Sequence, residues 1–408
     1  TEPRTFFTQS IVSTGHNRLM TSAPLDLTAQ QRERYARHLL LPGIGSLGQR
    51  ALLDAHVLVV GAGGLGSPVL TYLAGAGVGS ITVIDDDLVD LSNLQRQVIH
   101  STERVGTPKV DSAKATLAGL NPETTVHTIN ARLTRENVVD VLAGIDLVID
   151  GTDNFATRYL LNDVCAALGL AYIWAAIFQF DASLSVFHAA TGPCYRCLHP
   201  QAPAPGTVPS CSQGGVLGAL AGHVGTAQAV EAVKLITGVG RPLIGRVATY
   251  NALEGEWDYV PLAKNPTCPT CQPDFTLVRA LEVAQREQGC AIDVAPAAVA
   301  EPLATNLILP RDLDLFLANQ PNAILLDVRT TGETQIVSIP GSHHIELDRV
   351  LGQPTLVSGT GPVVVYCKSG ARSAQAAEIL RTDRSDIYEL AGGIMEWVDQ
   401  VSPHEVKY

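Results

Sequence analysis

Short unbroken apolar runs recur along the chain, and each ends in glycine, an acid or cysteine. Val57-Leu58-Val59-Val60 shows no alternation, which predicts a strand buried on both faces of a parallel sheet. Gly61-Ala62-Gly63-Gly64-Leu65-Gly66 then turns the chain tightly, and the pattern predicts a helix over about 67–77 with Pro68 in its first turn. Further strands are predicted at 81–84, 126–130, 146–150 and 171–174. Residues 182–188 alternate apolar and polar, as an antiparallel strand with one wet face does, and would extend the sheet into a platform for a small protein. Residues 28–53 read as one polar-faced, solvated helix carrying Arg34 and Arg37. The long apolar stretch 214–239 contains His223, Gln228, Glu231 and Lys234, so it predicts a buried or half-buried helix rather than a membrane span.

Residues 273–305 change character. A helix over 277–288 precedes an Ala/Pro-rich run at 295–300, and the segment reads as an interdomain linker. A second α/β pattern occupies 306–408. Strands at 324–329 and 362–366 are predicted, and the latter runs into Cys367-Lys368-Ser369-Gly370-Ala371-Arg372-Ser373 with a helix from about Ser373. The first 22 residues are polar and patternless and are expected to form a disordered extension, with Met20 as an alternative start.

The chain has 408 residues, more than one ordinary core accommodates. A hydrophobic content of 46% with 17% charged residues fits packed globular domains. A net charge of −12 with no compensating Lys/Arg run argues against nucleic acid as the main partner. The N-terminal residues lack the apolar core of a signal peptide, and a cytoplasmic protein is expected.

The chemistry starts at the glycine turn. Gly61, Gly63, Gly64 and Gly66 let a ligand approach the backbone, while free N–H groups and the positive end of a helix dipole suit a phosphate. Taken alone, such a turn points to a dinucleotide. Asp85, at the end of the second strand about 20 residues on, stands where a ribose hydroxyl is held. Two further segments have no place in a plain dehydrogenase: Asp90-Leu91-Ser92-Asn93-Leu94-Gln95-Arg96-Gln97 and Gly106-Thr107-Pro108-Lys109. A cation and amides beyond the ribose acid suit several phosphates. Asp153 stands just past the fourth strand, where an acid suits Mg²⁺ shared with phosphate oxygens.

With GAGGLGS at 61–67, DLSNLQRQ at 90–97, GTPK at 106–109, GTDN at 151–154 and CYRC at 194–197 in this order, the span 34–272 resembles the ubiquitin-activating, E1-like superfamily. It is most similar to the prokaryotic branch that activates sulfur carriers for molybdopterin and thiamine synthesis. The resemblance implies a Rossmann-like adenylation domain over 23–272 that binds ATP rather than NAD. It also implies that Asp85 holds the ribose, that Asn93, Arg96 and Lys109 handle phosphates, and that Asp153 works with Mg²⁺. Arg37 would reach the neighbouring subunit's triphosphate, which implies a homodimer.

Eight cysteines remain to be read. Cys194, Cys197, Cys268 and Cys271 form two Cys-x-x-Cys pairs, the four-thiolate set of a structural zinc site that would staple two distant segments. Cys211 lies in a proline-rich, aperiodic loop over 200–211, a setting for an exposed nucleophile. In the resembling family a cysteine here forms an acyl or persulfidic link with the carrier. Cys165 and Cys290 read as structural. Cys367 opens a strand–loop–helix nest whose N–H groups, with Lys368 and Arg372, would stabilise a thiolate.

LLDVR at 325–329, IPGSHHI at 339–345, CKSGARS at 367–373 and LAGGIMEW at 390–397 make this half resemble a rhodanese domain. It departs where Thr330-Thr331-Gly332-Glu333 replaces a glutamate-rich continuation. Cys367 and Arg372 stand one residue closer than in a Cys-x5-Arg phosphatase loop, which favours persulfide chemistry.

The expected activity is ATP-dependent adenylation of the C-terminal glycine of a ubiquitin-like carrier ending in Gly-Gly. Sulfur transfer from a Cys367 persulfide, loaded by a cysteine desulfurase or thiosulfate, then gives a thiocarboxylate. Adenylation with an accessory rhodanese half, a nucleotide-gated docking scaffold and an NAD oxidoreductase are the alternatives.

Overall fold

The structure is a computed structural model that describes residues 27–203, 215–290 and 306–408, with side chains of the second segment to residue 285. The expected extension 1–22, Cys211 and its loop beyond residue 203, and the 291–305 part of the linker lie outside the described residues, as does the side chain of Cys290.

The run at residue 57 becomes β1 (His56–Val60), inside an eight-stranded sheet of order β3-β2-β1-β4-β5-β6-β7-β8. Its neighbours β2 (Ser80–Ile84) and β4 (Leu147–Asp150) pair with it in parallel, Val60 lying opposite Ile84 and Asp150. β3 (Thr125–Ile129) and β5 (Ala171–Phe178) continue the parallel part, while β6 (Asp181–Phe187), β7 (Arg246–Asn251) and β8 (Glu256–Pro261) are antiparallel. Unbroken apolarity in β1 reflects burial on both faces. Val57 and Val59 join one core cluster with the helices Gly66–Ala76, Lys109–Leu120 and Gly218–Thr237. Leu58 and Val60 join another with the helices Phe155–Leu168 and Leu277–Cys290.

Two expectations need correction. Residues 28–53 are not one solvated helix but three, Ala29–Arg34, Ala36–Leu39 and Gly45–Asp54. The first break is at Tyr35, whose ring is buried at 3% exposure while its hydroxyl accepts from Asn121 and donates to Glu123. An inward ring cannot sit on a helix solvated all round. The segment 273–305 is also not linker throughout. Ala280 and Ala284 of the helix Leu277–Cys290 are buried in the first unit's core against the helix Phe155–Leu168.

The chain divides into two compact units, Thr1–Asp293 and Val294–Tyr408. In the second unit β9 (Leu307–Ile308), β10 (Ile324–Asp327), β11 (His343–His344), β12 (Val363–Tyr366) and β13 (Ile387–Leu390) form a parallel sheet of order β11-β10-β12-β13-β9. β12 repeats the logic of β1: Val364 and Tyr366 enter one cluster, Val363 and Val365 the other. Among the described residues no helix is long and apolar enough to cross a membrane.

Candidate functional site

The first site lies at the carboxyl ends of β1, β2 and β4, where an open parallel sheet receives ligands. Gly61, Gly63 and Gly64 line the cleft together with Asp85, Asn93, Arg96, Lys109 and Asp153. The helix Gly66–Ala76 starts directly from the turn, with Pro68 in its first turn as expected. A Cβ on Gly66 would fall 1.9 Å from the Gly61 carbonyl oxygen, so close backbone packing, not ligand contact, demands glycine there. The Gly61 N–H donates to the Ile84 carbonyl at 2.8 Å, and Gly151 N–H donates to Val60 at 2.8 Å. Three strand ends are thereby tied to one turn. His100, buried, spans the Ala62 carbonyl and the Ser112 hydroxyl at 2.9 Å each and fixes the turn from behind.

Asp85 accepts from the Ala62 N–H at 2.7 Å and from the Asp87 N–H at 2.8 Å. Burial pushes its carboxyl above the ordinary range, against the pull of Lys109 and those two donors. Lys109 is almost fully buried, and its ammonium lies 2.7 Å from Asp87. A cation paired in this way is able to exchange one anionic partner for another. Arg96 donates to the Ser92 carbonyl at 3.2 Å, and its side chain runs beside Gly64. Asp90 accepts from the Ser92 N–H at 2.8 Å, shaping the turn that presents Asn93 and Arg96. Asp153 is exposed at the cleft wall. The carboxylates lying within 4.8 Å of one another are those of Asp85, Asp86 and Asp87.

Arg132, Thr152 and Arg158 also line the cleft and were not singled out from sequence. Thr152 donates through its N–H and its hydroxyl to the fully buried Asp150, at 2.8 and 2.7 Å, while Tyr172 donates to the other oxygen at 2.6 Å. Burial pushes the Asp150 carboxyl up, and Arg158 opposes it. Arg158 in turn donates to the Thr152 carbonyl at 3.1 Å, so this network sets the turn bearing Asp153. Arg37 is exposed on its short helix and is not among the cleft-lining residues.

Cys194, Cys197, Cys268 and Cys271 converge as expected. Their sulfurs stand 3.9 Å (Cys194 to Cys197), 3.6 Å (Cys194 to Cys268) and 3.6 Å (Cys197 to Cys271) apart. A tetrahedral ion with sulfur ligands at about 2.3 Å requires edges of about 3.8 Å, so the donors fit zinc. The Asn265 N–H donates to Cys197 Sγ at 3.3 Å. Cys165 is fully buried, and burial pushes its thiol far up, in line with an inert structural role.

The second site lies at the end of β12. Cys367 is 1% exposed; Gly370 N–H donates to its sulfur at 3.1 Å and Ser373 Oγ at 3.6 Å. Gly370 has φ +112°, a backbone only glycine takes without strain, and that turn aims its N–H at the sulfur. The helix Ala371–Leu380 begins immediately after, two residues earlier than the pattern predicts.

The expected cations have further partners. Arg372 is bidentate to Glu333, at 2.7 and 2.6 Å, and the charge of Cys367 also acts on its guanidinium. Lys368 lies over the Tyr408 ring, 4.6 Å from its centroid. Burial alone would push the Glu333 carboxyl up, but bonds from Arg372, Thr330 and Tyr408 bring it down to about 2. Glu333 thus gives the departing Thr330–Glu333 stretch its role. It caps its own helix with Thr330 and clamps Arg372. Behind it, Arg329 is held by Asp327 at 2.9 Å and donates to Tyr408 at 2.8 Å.

Known proteins match the chain along the same division. Residues 35–270 match the ThiF family and residues 310–400 match the rhodanese-like domain. "Probable adenylyltransferase/sulfurtransferase MoeZ" of Mycobacterium tuberculosis is 41% identical over 395 residues, 94% of this chain and 96% of that protein. "Adenylyltransferase and sulfurtransferase MOCS3" of Drosophila grimshawi is 36% identical, over 90% of this chain and 84% of its own length. "SAMP-activating enzyme E1" of Haloferax volcanii is 50% identical over 60% of this chain and 91% of its own. A crystal structure of E. coli MccB with ATP shares the fold, at TM-score 0.51 and 23% identity over 58% of this chain and 74% of that one. The chain belongs to the ThiF family, carries a rhodanese-like domain behind its adenylation domain, and is an adenylyltransferase and sulfurtransferase.

Proposed function

We propose that the enzyme adenylates the C-terminal glycine of a ubiquitin-like sulfur carrier ending in Gly-Gly and then replaces the activated oxygen with sulfur. The observation that carries this reading is the convergence of the glycine turn, Asp85, Arg96, Lys109 and Asp153 on one cleft. In it, ATP lies with its ribose at Asp85 and its phosphates at the turn, Asn93, Arg96 and Lys109. The carrier carboxylate attacks the α-phosphate in line, and pyrophosphate departs. The chain's residues align the reactants and neutralise the charge that builds on the departing phosphates. Asp153 would hold Mg²⁺, which supplies further charge neutralisation at those oxygens. The four thiolates would hold Zn²⁺ in a closed, structural site.

The sulfur step uses Cys367. Its persulfide, formed from a cysteine desulfurase or thiosulfate, attacks the adenylate carbonyl and expels AMP. Gly370 N–H and Ser373 Oγ are the donors that would hold the anionic sulfur. Cys211 would then cleave the acyl disulfide, releasing the thiocarboxylate and leaving a disulfide for an external thiol to reduce. In a homodimer, Arg37 reaches the partner's triphosphate. Leu40, Leu41 and Leu47, exposed at 74%, 48% and 61% beside it, support such a contact. A cytoplasmic location belongs to the same proposal.

The test is ATP–pyrophosphate exchange with candidate carriers. Exchange that requires the carrier's terminal glycine is the expected result. If no candidate carrier supports exchange above the protein-alone rate, this reading is wrong.

A further inference from the structure

Both Cys-x-x-Cys turns rest on two successive residues of one helix. Between the cysteines of the first pair stand Tyr195 and Arg196, and between those of the second, Pro269 and Thr270. On the helix Phe155–Leu168, Asn162 Oδ1 accepts from the Tyr195 N–H at 2.6 Å. The next residue, Asp163, is 1% exposed. It accepts from Arg196 Nε at 2.8 Å and Nη2 at 2.7 Å, and from the Thr270 hydroxyl at 3.2 Å. Asn162 Nδ2 donates to the same carboxylate at 2.9 Å. The Arg196 guanidinium lies 4.5 Å over the ring of Tyr159, one turn back on that helix. None of these residues lines the nucleotide cleft, and the proposed chemistry leaves Asp163 without a part.

A carboxylate buried in this way is costly unless its bonds are all made, and removing one partner of such a pair strands the other charge. Here the one carboxylate, through Arg196 and Thr270, joins two turns that lie 74 residues apart in sequence, as Cys194 and Cys268 do. The four sulfurs stand at spacings close to the edge lengths of a zinc tetrahedron. A ligand set drawn from two distant segments needs both turns fixed by the residues they rest on.

We propose that Asp163 is the positioning residue of the four-thiolate centre. Through Arg196 it fixes the first turn, and through Thr270 it fixes the second, so that the sulfurs converge with little reorganisation when metal binds. Arg196 also sets a positive charge between two ligands of a centre whose thiolates outnumber the charges on the ion. Outer partners of this kind contribute roughly 10–100-fold in metal affinity. The inference rests on the reading that these cysteines hold zinc.

The experiment uses the full chain. Zinc content is measured as purified, and zinc affinity by competition with a chromogenic chelator. Asp163→Asn keeps the shape of the side chain and removes the charge that Arg196 needs. The double variant Asp163→Asn/Arg196→Met also removes the stranded guanidinium, and so separates positioning from the cost of an unpaired buried charge. The expected result is a loss of about 10–100-fold in zinc affinity for Asp163→Asn, still about tenfold or more in the double variant. The cobalt-substituted forms keep their thiolate charge-transfer bands, since the ligands themselves are unchanged.

Affinity within about twofold of wild type in either variant overturns the inference while leaving the zinc reading intact. Should Asp163→Asn fail to fold, the double variant decides alone. A wild-type chain that binds no zinc overturns the zinc reading, and this inference with it.

Discussion

The molecule builds the same device twice and equips it differently. At residues 61–66 and at residues 367–373 a strand buried on both faces ends in a tight loop, and a helix starts at once. Both loops aim backbone N–H groups at whatever occupies the mouth. The first carries no nucleophile and no charge of its own. Its cations, Arg96 and Lys109, come from segments further along, and Lys109 is already paired with Asp87. The second carries its sulfur in the loop, nearly sealed from solvent, with its arginine clamped by Glu333. A cradle for a substrate that comes and goes needs charges that can change partners. A cradle for a group that becomes covalently attached needs its nucleophile held and its surroundings fixed.

The two cradles part most visibly at Cys367. Cys367→Ala should abolish sulfur transfer, by roughly 1,000-fold or more, as loss of a nucleophile does. Pyrophosphate release by the other cradle should stay within about twofold; equal loss of both activities would show that the cradles are not separate. Next in size, Lys109→Met should lower carrier-dependent pyrophosphate release by about 100-fold, the cost of one donor at developing charge. Alkylation of Cys367 by iodoacetamide should not change in that variant.

Two stability measurements sharpen the contrast. Gly66→Ala forces a methyl against the Gly61 carbonyl, where the contact would be 1.9 Å. Gly370→Ala meets no atom within 4 Å but must hold φ +112°. In urea unfolding Gly66→Ala should cost about 3 kcal/mol or more, the upper end for overpacking. Gly370→Ala should cost about 1–3 kcal/mol of dihedral strain. A reversed order would mean that the first turn yields more readily than its packing implies.

A further effect is a pH dependence from one carboxyl of the second unit. The Glu333 carboxyl lies at about 2 instead of 4.5, so the folded form binds fewer protons there than the unfolded chain. Its contribution is fully present above 4.5 and is lost as pH falls from 4.5 towards about 2. Unfolding of the wild type measured across that window should show this slope, and Glu333→Gln should flatten it.

Much of this was legible in sequence for a physical reason. β1 and β12 announce themselves because strands buried on both faces cannot alternate, and the glycines and Cys367 stand directly after them. The paired cysteines are legible because their chemistry depends on residue type and short spacing. What sequence hides are partners brought together by folding. The inward turn of Tyr35 depends on Asn121 and Glu123, far along the chain, so the segment keeps a helical polarity pattern that its structure breaks. Glu333 meets Arg372 across 39 residues, and nothing local to either marks the pair. Arg158 and Thr152 serve the cleft through Asp150, a strand residue whose burial is a property of the sheet. Asp163 looks like any polar position within an amphipathic helix until both cysteine turns are seen resting on it.

The central claim is that the two cradles act in sequence on one carboxylate. The full chain is incubated with ATP, a candidate carrier and thiosulfate, and the carrier is weighed intact. The account predicts one sulfur in place of one oxygen, only when ATP is present and only with Cys367 intact. A carrier that gains sulfur without ATP, or from Cys367→Ala at the full rate, contradicts it.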